Sequence, residues 1–432
     1  MSNRNDYDYF DLNNFDERYD SRDYRRRQPQ RRQGSYNRRP AYNVGMARRR
    51  NKRRIRNRVM IVSGFVLILI FVVLLLSVMF KGCAGESYSN SNSGISTDTK
   101  ENQQASVEPT TIADEESFEV LGDLSPSYFK TPFIKDDNTN GELIYGVYGW
   151  NNAAYETFGS NDAKAEKYAQ TINGFADKLD GIKVYDLVIP NHTEMGLPQR
   201  LKDATGCTSQ AENIKSIYAG LSDKVTAINC YNYLADHNKE YIYFNSDHHW
   251  SGLGAYYAYT AFANRTKQNV LQLSDCTENI VGGFTGTFTN SFPALVDDVH
   301  YWKFPYDVTM DVTDANGTTN TYNSPYYEYA QAGDYTYALF IVGDNPLTVL
   351  KSNSPNAIEG NKIAIVKESY GNALAPYFTN NYQEVHVIDF RHFEGNLVTY
   401  CQENGIKEVL FSNGVMSANT QIQLDSMSSL FD

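Results

Sequence analysis

Cysteine is scarce in this 432-residue chain, with five residues at spacings that match no paired zinc-binding pattern. Cysteines so few and scattered exclude a disulfide-scaffolded fold. Cys207, Cys230, Cys276 and Cys401 are left either as buried thiols or as carriers of a single disulfide. Histidine is scarce too: of seven residues, His192, His237, His300, His386 and His392 have no carboxylate at a spacing that points to catalysis. No internal repeat is present, which argues against a solenoid or propeller.

Charge is absent from Val59 to Phe80, 22 residues made mostly of Leu, Ile, Val and Phe. At about 1.5 Å per residue a helix of that length spans roughly 33 Å, enough for a hydrocarbon core of about 30 Å. Arg48, Arg49, Arg50, Lys52, Arg53, Arg54, Arg56 and Arg58 crowd its upstream flank, against Lys81 alone downstream. The positive-inside rule then predicts a single-pass cell-membrane protein with its N-terminus cytoplasmic and its C-terminal part outside. The run is longer than a signal-peptide core and follows a long tail, so an uncleaved anchor is expected.

Aliphatic residues are sparse in residues 1–58, which predicts a disordered cytoplasmic tail. It carries 18 Lys and Arg against 7 Asp and Glu, a balance of +11; with −12 for the whole chain, residues 59–432 carry −23. Interleaved arginine and tyrosine suit RNA or anionic lipid, but a solvated topology signal accounts for them, and no nucleic-acid partner is expected. Residues 81–117 are polar, with hardly an aliphatic cluster, and read as a flexible extracytoplasmic linker.

From residue 118 to 432 helical and strand-like segments alternate, as in an α/β protein with a parallel sheet flanked by helices. Asp162 to Leu179 has helical periodicity, with Ala165, Tyr168, Ile172, Phe175 and Leu179 on one stripe. Strands are expected at 182–189, 225–228, 241–244, 363–366, 385–389 and 408–411, and helices at about 210–221, 255–265, 370–378 and 397–403. Residues 284–340 break this rhythm with aromatic and turn-rich sequence and read as a β-rich insertion, with a hairpin turn at Asp314-Ala315-Asn316-Gly317. The 33 tyrosines fit a carbohydrate-facing surface or ordinary packing equally well.

Titratable chemistry concentrates at Ser246-Asp247-His248-His249-Trp250, behind Tyr241-Ile242-Tyr243-Phe244. On an extended chain residues two apart share a face, so Asp247 can orient His249 while His248 points away and Trp250 packs. The same three polar residues are candidate metal ligands. Adjacent histidines diverge on an extended chain, however, and no metal or other cofactor is expected. What the motif lacks is a nucleophile.

Ser369 supplies a candidate. Strand Ile363-Ala364-Ile365-Val366 runs through Lys367 and Glu368 into it, and a helix starts at once. Open α/β sheets place their sites at such carboxyl strand ends. There the N–H groups of Tyr370 and Gly371 could stabilise an oxyanion, with Asn345, Asn372 and Asn413 as side-chain donor candidates.

These blocks, with Gly343-Asp344-Asn345-Pro346-Leu347, Lys367-Glu368-Ser369-Tyr370-Gly371-Asn372, Val385-His386-Val387-Ile388-Asp389-Phe390-Arg391 and Ile189-Pro190-Asn191, resemble the bacterial DHHW protein family over roughly residues 118–427. That family resembles the SGNH-like O-acetyltransferase domains of alginate and cell-wall acetylation proteins, in which the Asp-x-His pair precedes the serine. The resemblance implies Asp247 as orienting acid, His249 as general base and Ser369 as nucleophile. Glu368 departs from the aspartate common before the serine, keeping the charge on a longer arm. A polysaccharide O-acetyltransferase outside the membrane is thus implied, with a membrane-bound O-acyltransferase as the partner that passes the acyl group across. The same triad would serve a carbohydrate esterase or deacetylase, and a non-catalytic polysaccharide-binding scaffold could keep the fold alone.

Overall fold

The computed structural model describes residues 122–432. The expected tail, membrane helix and linker, together with Cys83, lie outside the described residues. Among the described residues no helix is long and apolar enough to cross a membrane.

Strands run in chain order as β1 (Glu142–Ile144), β2 (Val147–Trp150), β3 (Ala153–Glu156), β4 (Lys183–Ile189), β5 (Val225–Ala227), β6 (Thr277–Phe284) and β7 (Asp297–Lys303). They continue as β8 (Val308–Thr313), β9 (Thr319–Tyr322), β10 (Leu347–Ser352), β11 (Ile358–Lys367), β12 (Tyr382–Asp389) and β13 (Glu408–Gly414). Eight of them form one sheet in the order β5-β4-β13-β11-β12-β10-β8-β9. The strands from β5 to β12 in that order pair in parallel, whereas β10, β8 and β9 add on antiparallel. The fold is mixed α/β: the parallel sheet expected from the alternation is present and carries an antiparallel edge. An antiparallel strand needs only a short turn to join, and the turn-rich segment supplies such turns.

That segment is not one body. β6 and β7 pair as a separate ribbon, while β8 and β9 extend the main sheet through β10. The hairpin turn forms as expected, with the Gly317 N–H donating to the Asp314 carbonyl at 2.8 Å and Gly317 at φ +75°. A small antiparallel sheet of β1, β2 and β3 completes the β-structure described here.

The central strands are nearly continuous apolar runs, the pattern of strands covered on both faces. Ile363, Ile365 and Val366 of β11 are fully buried, as are Val409, Leu410 and Phe411 of β13; each such side chain contributes roughly 1.5–3 kcal/mol on burial. Among the helices are α1 (Asp162–Lys178), α2 (Gln210–Ala219), α3 (Gly252–Arg265), α4 (Tyr370–Phe378) and α5 (Leu397–Asn404). Asn161, Ser209 and Ser251 cap the first three through side-chain oxygens that accept first-turn N–H groups. The predicted stripe of α1 is the buried one, through Ala165, Tyr168, Ile172 and Phe175.

Tyr168, Tyr231, Tyr259, Tyr337, Tyr377 and Tyr382 are among the largest fully buried side chains. For these, core packing decides the question their number leaves open. The hydroxyls of Tyr168 and Tyr382 donate to the buried Asp186 and Glu408 carboxylates, so each ring fills space without stranding its polar end. Cys207, Cys230, Cys276 and Cys401 are all free thiols.

Candidate active site

β11 lies between its two successors, β12 on one side and β13 on the other. Strand order reverses there, and chain segments leaving the sheet diverge around a crevice at the carboxyl ends. Ser369 stands at that point, one residue before α4. The turn is tight enough that a Cβ on Gly371 would come within 2.4 Å of the Lys367 Cβ, so only glycine fits.

Residues 241–244 are not a strand of the sheet. Tyr243 and Trp250 form an isolated antiparallel bridge, the Phe244 N–H donates to the His249 carbonyl and the Ser251 N–H to the Ile242 carbonyl. The motif is therefore the tip of a closed loop. Asp297 holds it from outside, its carboxylate accepting the backbone N–H groups of Asn245 (3.0 Å) and Ser246 (2.6 Å) and the Tyr241 hydroxyl. The aromatic, strand-favouring character of Tyr241-Ile242-Tyr243-Phe244 is outweighed by these hydrogen bonds and the bend that goes with them.

In that loop Asp247 Oδ1 accepts both the His249 backbone N–H (2.9 Å) and the His249 Nδ1–H (2.6 Å), and Oδ2 accepts the Thr287 N–H (2.8 Å). His249 Nε2 lies 2.7 Å from Ser369 Oγ across 120 residues of sequence. Asp247 and His249 are fully buried and Ser369 is 2% exposed. Gly286 allows this approach, because a Cβ there would meet the Asp247 Cβ at 2.3 Å.

Burial by itself pushes the Asp247 carboxyl up. The neighbouring His248 and His249 and the hydrogen bonds from His249 and Thr287 outweigh it, holding the group well below the usual carboxylate range. It is thus an acceptor throughout ordinary pH, which leaves the proton on His249 Nδ1 and the lone pair on Nε2 facing the serine.

His248 does not turn away. Its ring lies against that of His249, with centroids 3.8 Å apart, and its Nδ1 is 2.9 Å from Thr287 Oγ1. The period-two argument fails because the segment is bent, not extended. Asp247, His248 and His249 consequently bring ligand atoms within 4.8 Å of one another, so the divergence expected to disfavour a metal does not occur. The Asp247 oxygens and both His249 ring nitrogens nevertheless already have hydrogen-bond partners in the chain.

Trp250 does more than pack. Its Nε1–H donates to the Tyr370 carbonyl at 2.9 Å, and the Tyr370 hydroxyl donates to the His248 carbonyl. With the His249–Ser369 contact, the last three residues of the motif each grip the serine turn.

The other candidate donors have partners elsewhere. The Tyr370 N–H donates to Glu368 Oε2 at 3.1 Å and the Gly371 N–H to the Glu368 carbonyl at 2.9 Å. Asn372 Nδ2 donates to Asp344 Oδ1, Asn345 Nδ2 to the Val342 carbonyl and Asn413 Nδ2 to the Tyr168 hydroxyl. The asparagines therefore serve the turns and networks around them. Among the remaining histidines, His237, His300 and His386 do meet carboxylates, at Glu240, Glu278 and Glu384, partners that distance in sequence or local spacing left unremarked.

Two parts of the site were given no role by the sequence. Tyr337, from the irregular segment before β10, stacks on His249 and donates its hydroxyl to the Ser369 carbonyl at 3.2 Å. Behind the serine turn, Lys367 Nζ bridges Asp344 (3.2 Å) and Asp389 (2.7 Å), and Arg391 contacts both carboxylates. Burial opposes ionisation of these two aspartates, but Arg391 and Lys367 hold both below their usual range. This closed set of two cations and two anions is what the Gly343–Leu347, Lys367–Asn372 and Val385–Arg391 blocks share.

Fold and site together define an α/β protein in which a serine, a histidine and an aspartate meet at the carboxyl ends of parallel strands. The chain belongs to the DHHW protein family, whose profile matches residues 95–388. A DHHW family protein from Eubacterium siraeum DSM 15702 is similar at 26% identity over 68% of this chain and 99% of that chain, with a TM-score of 0.62. Bacillus cereus PatB1 is similar in two structures. One is 20% identical over 66% of this chain and 99% of that chain; the other, with a sulfonyl adduct, is 19% identical over 64% and 96%; both have a TM-score of 0.54. At that identity PatB1 speaks for the fold. No curated protein sequence matches.

Proposed function

We propose that this protein is a serine O-acyltransferase, an O-acetyltransferase by preference, acting outside the membrane on a cell-surface or secreted polysaccharide. The observation that carries the reading is the hydrogen-bonded line Asp247–His249–Ser369. His249 takes the Ser369 proton while Asp247 fixes its tautomer and supports the imidazolium. The serine oxygen attacks an ester or thioester carbonyl, the donor's oxygen or sulfur leaves with the proton from His249, and an acyl-serine results. A sugar hydroxyl, deprotonated in turn by His249, then takes the acyl group.

Transfer is preferred to hydrolysis on the resemblance of the motif blocks to SGNH-like O-acetyltransferase domains. The apolar run at 59–80 with its basic flank supports a membrane anchor and an extracytoplasmic site. Since acetyl donors are made in the cytoplasm, a membrane-bound O-acyltransferase is the proposed partner that delivers the acyl group. The test is acetyl transfer from a chromogenic ester to oligosaccharides, set against release of acetate into water. Oligosaccharide acetylation lost in Ser369→Ala supports the reading; release into water alone makes the protein an esterase, and neither activity leaves a scaffold.

A further inference from the structure

Glu368 stands directly before the nucleophile, and its side chain is buried against it. Oε2 lies 3.3 Å from Ser369 Oγ and 3.1 Å from the Tyr370 amide nitrogen, and Oε1 accepts the Gly414 N–H at 2.8 Å. One of these amides follows the serine and the other closes β13, the neighbouring strand. Two N–H groups from different strand ends are thus held by one carboxylate beside the nucleophile, one on each oxygen, at distances within the range of about 2.7–3.1 Å that an oxyanion needs. Gly414 suits this place: a Cβ there would stand 3.3 Å from Glu368 Oε1 and 3.4 Å from the Tyr370 ring.

We propose that the Tyr370 and Gly414 amides form the oxyanion hole, and that the Glu368 carboxylate is its resident occupant, which an incoming acyl carbonyl must displace. The inference rests on Ser369 being the nucleophile. A carbonyl carbon bonded to Ser369 Oγ would carry its oxygen into the space between Oγ and the two amides that this carboxylate now fills, and two anions cannot share those donors. With Ser369 and Glu368 only 2% and 5% exposed, the present arrangement is the closed one. Glu368 therefore acts as a gate whose departure opens both the donors and the way to the hydroxyl. It is a positioning residue and takes no part in bond making.

The alternative is a purely structural tie between the ends of β11 and β13. The two roles predict opposite orders of reactivity. Phenylmethanesulfonyl fluoride reports on this, because a sulfonyl oxygen must enter the hole as the Ser369 Oγ–S bond forms, fluoride leaves and His249 takes the proton. Its second-order rate constant is measured on the full chain and on Glu368→Asp, Glu368→Ala and Glu368→Gln, with Ser369→Ala as control and thermal melts to establish folding.

If the carboxylate fills the hole about nine-tenths of the time, the apparent rate is cut about tenfold. The shorter aspartate and the alanine should recover about that factor, and the isosteric glutamine less, even where melting temperature falls. Folded Asp and Gln variants that react no faster than the unsubstituted chain overturn the gate and leave the serine assignment intact, provided Ser369→Ala is unlabelled. No labelling of any variant removes the serine reading and the gate with it. Labelling of the Asp variant alone supports both.

Discussion

The Tyr337 ring lies on the His249 imidazole with centroids 4.1 Å apart and planes 12° from parallel, while its hydroxyl reaches the carbonyl of Ser369. One buried side chain thus holds both members of the reacting pair. Tyr337→Phe keeps the stack and loses only the hydroxyl contact, worth about 1 kcal/mol. Ester hydrolysis should fall less than about tenfold in kcat with KM unchanged. Tyr337→Leu removes the flat surface and should cost about 100-fold in kcat, since an imidazole displaced by about 1 Å loses that much. Equal losses in the two variants would mean that the ring contact is irrelevant.

Asp247→Asn keeps the shape of the carboxylate but offers His249 an amide. The imidazole can then settle in the tautomer that carries its proton on Nε2, towards Ser369. Turnover of an activated ester should drop by about 10³–10⁴-fold with little change in KM. Single-turnover acylation kinetics check this, and a loss below tenfold would remove Asp247 from the mechanism.

Added chelator separates the serine line from a metal held by Asp247, His248 and His249. Activity and sulfonyl labelling are expected to survive prolonged dialysis against a strong chelator unchanged. Loss of activity restored by one divalent ion would reassign the cluster.

Lys367 is 1% exposed and balances Asp344 and Asp389 together with Arg391. Lys367→Met deletes a cation and leaves buried negative charge, a change that costs about 3–5 kcal/mol. Denaturant unfolding should show the loss, and serine reactivity should fall with it because the network braces the turn. A neutral effect on stability would show that water replaces the ammonium.

Asp186, fully buried on β4, takes a hydrogen bond from Tyr168, and burial pushes its carboxyl up to about 7 in spite of that bond. In the unfolded chain such a group titrates near pH 3.9. Between roughly pH 4 and 7 the folded state therefore holds the extra proton. Its contribution is fully present below about pH 4 and is lost as pH rises through about 7, by up to about 1.4 kcal/mol per unit. Asp186→Asn has no such proton, so the drop in unfolding free energy between pH 5 and pH 8 should shrink by about 2–3 kcal/mol. An unchanged drop would place the titration elsewhere.

Much of the framework was legible because its signals are local. Apolar runs marked β4, β11, β12 and β13, and the stripe of Ala165, Tyr168, Ile172 and Phe175 marked α1. The abrupt change from Val366 to Tyr370 marked the strand-to-helix turn that presents Ser369. Misreadings arose where a distant partner outweighed local preference. Tyr241–Phe244 has strand composition but is bent by Asp297, more than fifty residues on, and that bend is why His248 stays beside His249. Tyr370 and Gly371 had plausible free amides until Glu368, one of their nearest neighbours, took both. No pattern in residues 284–340 announced Gly286, Thr287 or Tyr337, because their value lies wholly in what they touch.

By itself, then, the sequence determined most of the elements, the α/β class and which acid, base and hydroxyl were worth bringing together, since hydrophobic periodicity and motif spacing act within a few residues. Only the tertiary structure decided the rest: the antiparallel edge, the bent loop that puts Asp247, His249 and Ser369 in one line, and the carboxylate seated among the amides beside the serine. Each of these depends on contacts between segments up to 120 residues apart, whose free energy exists only once the core has packed.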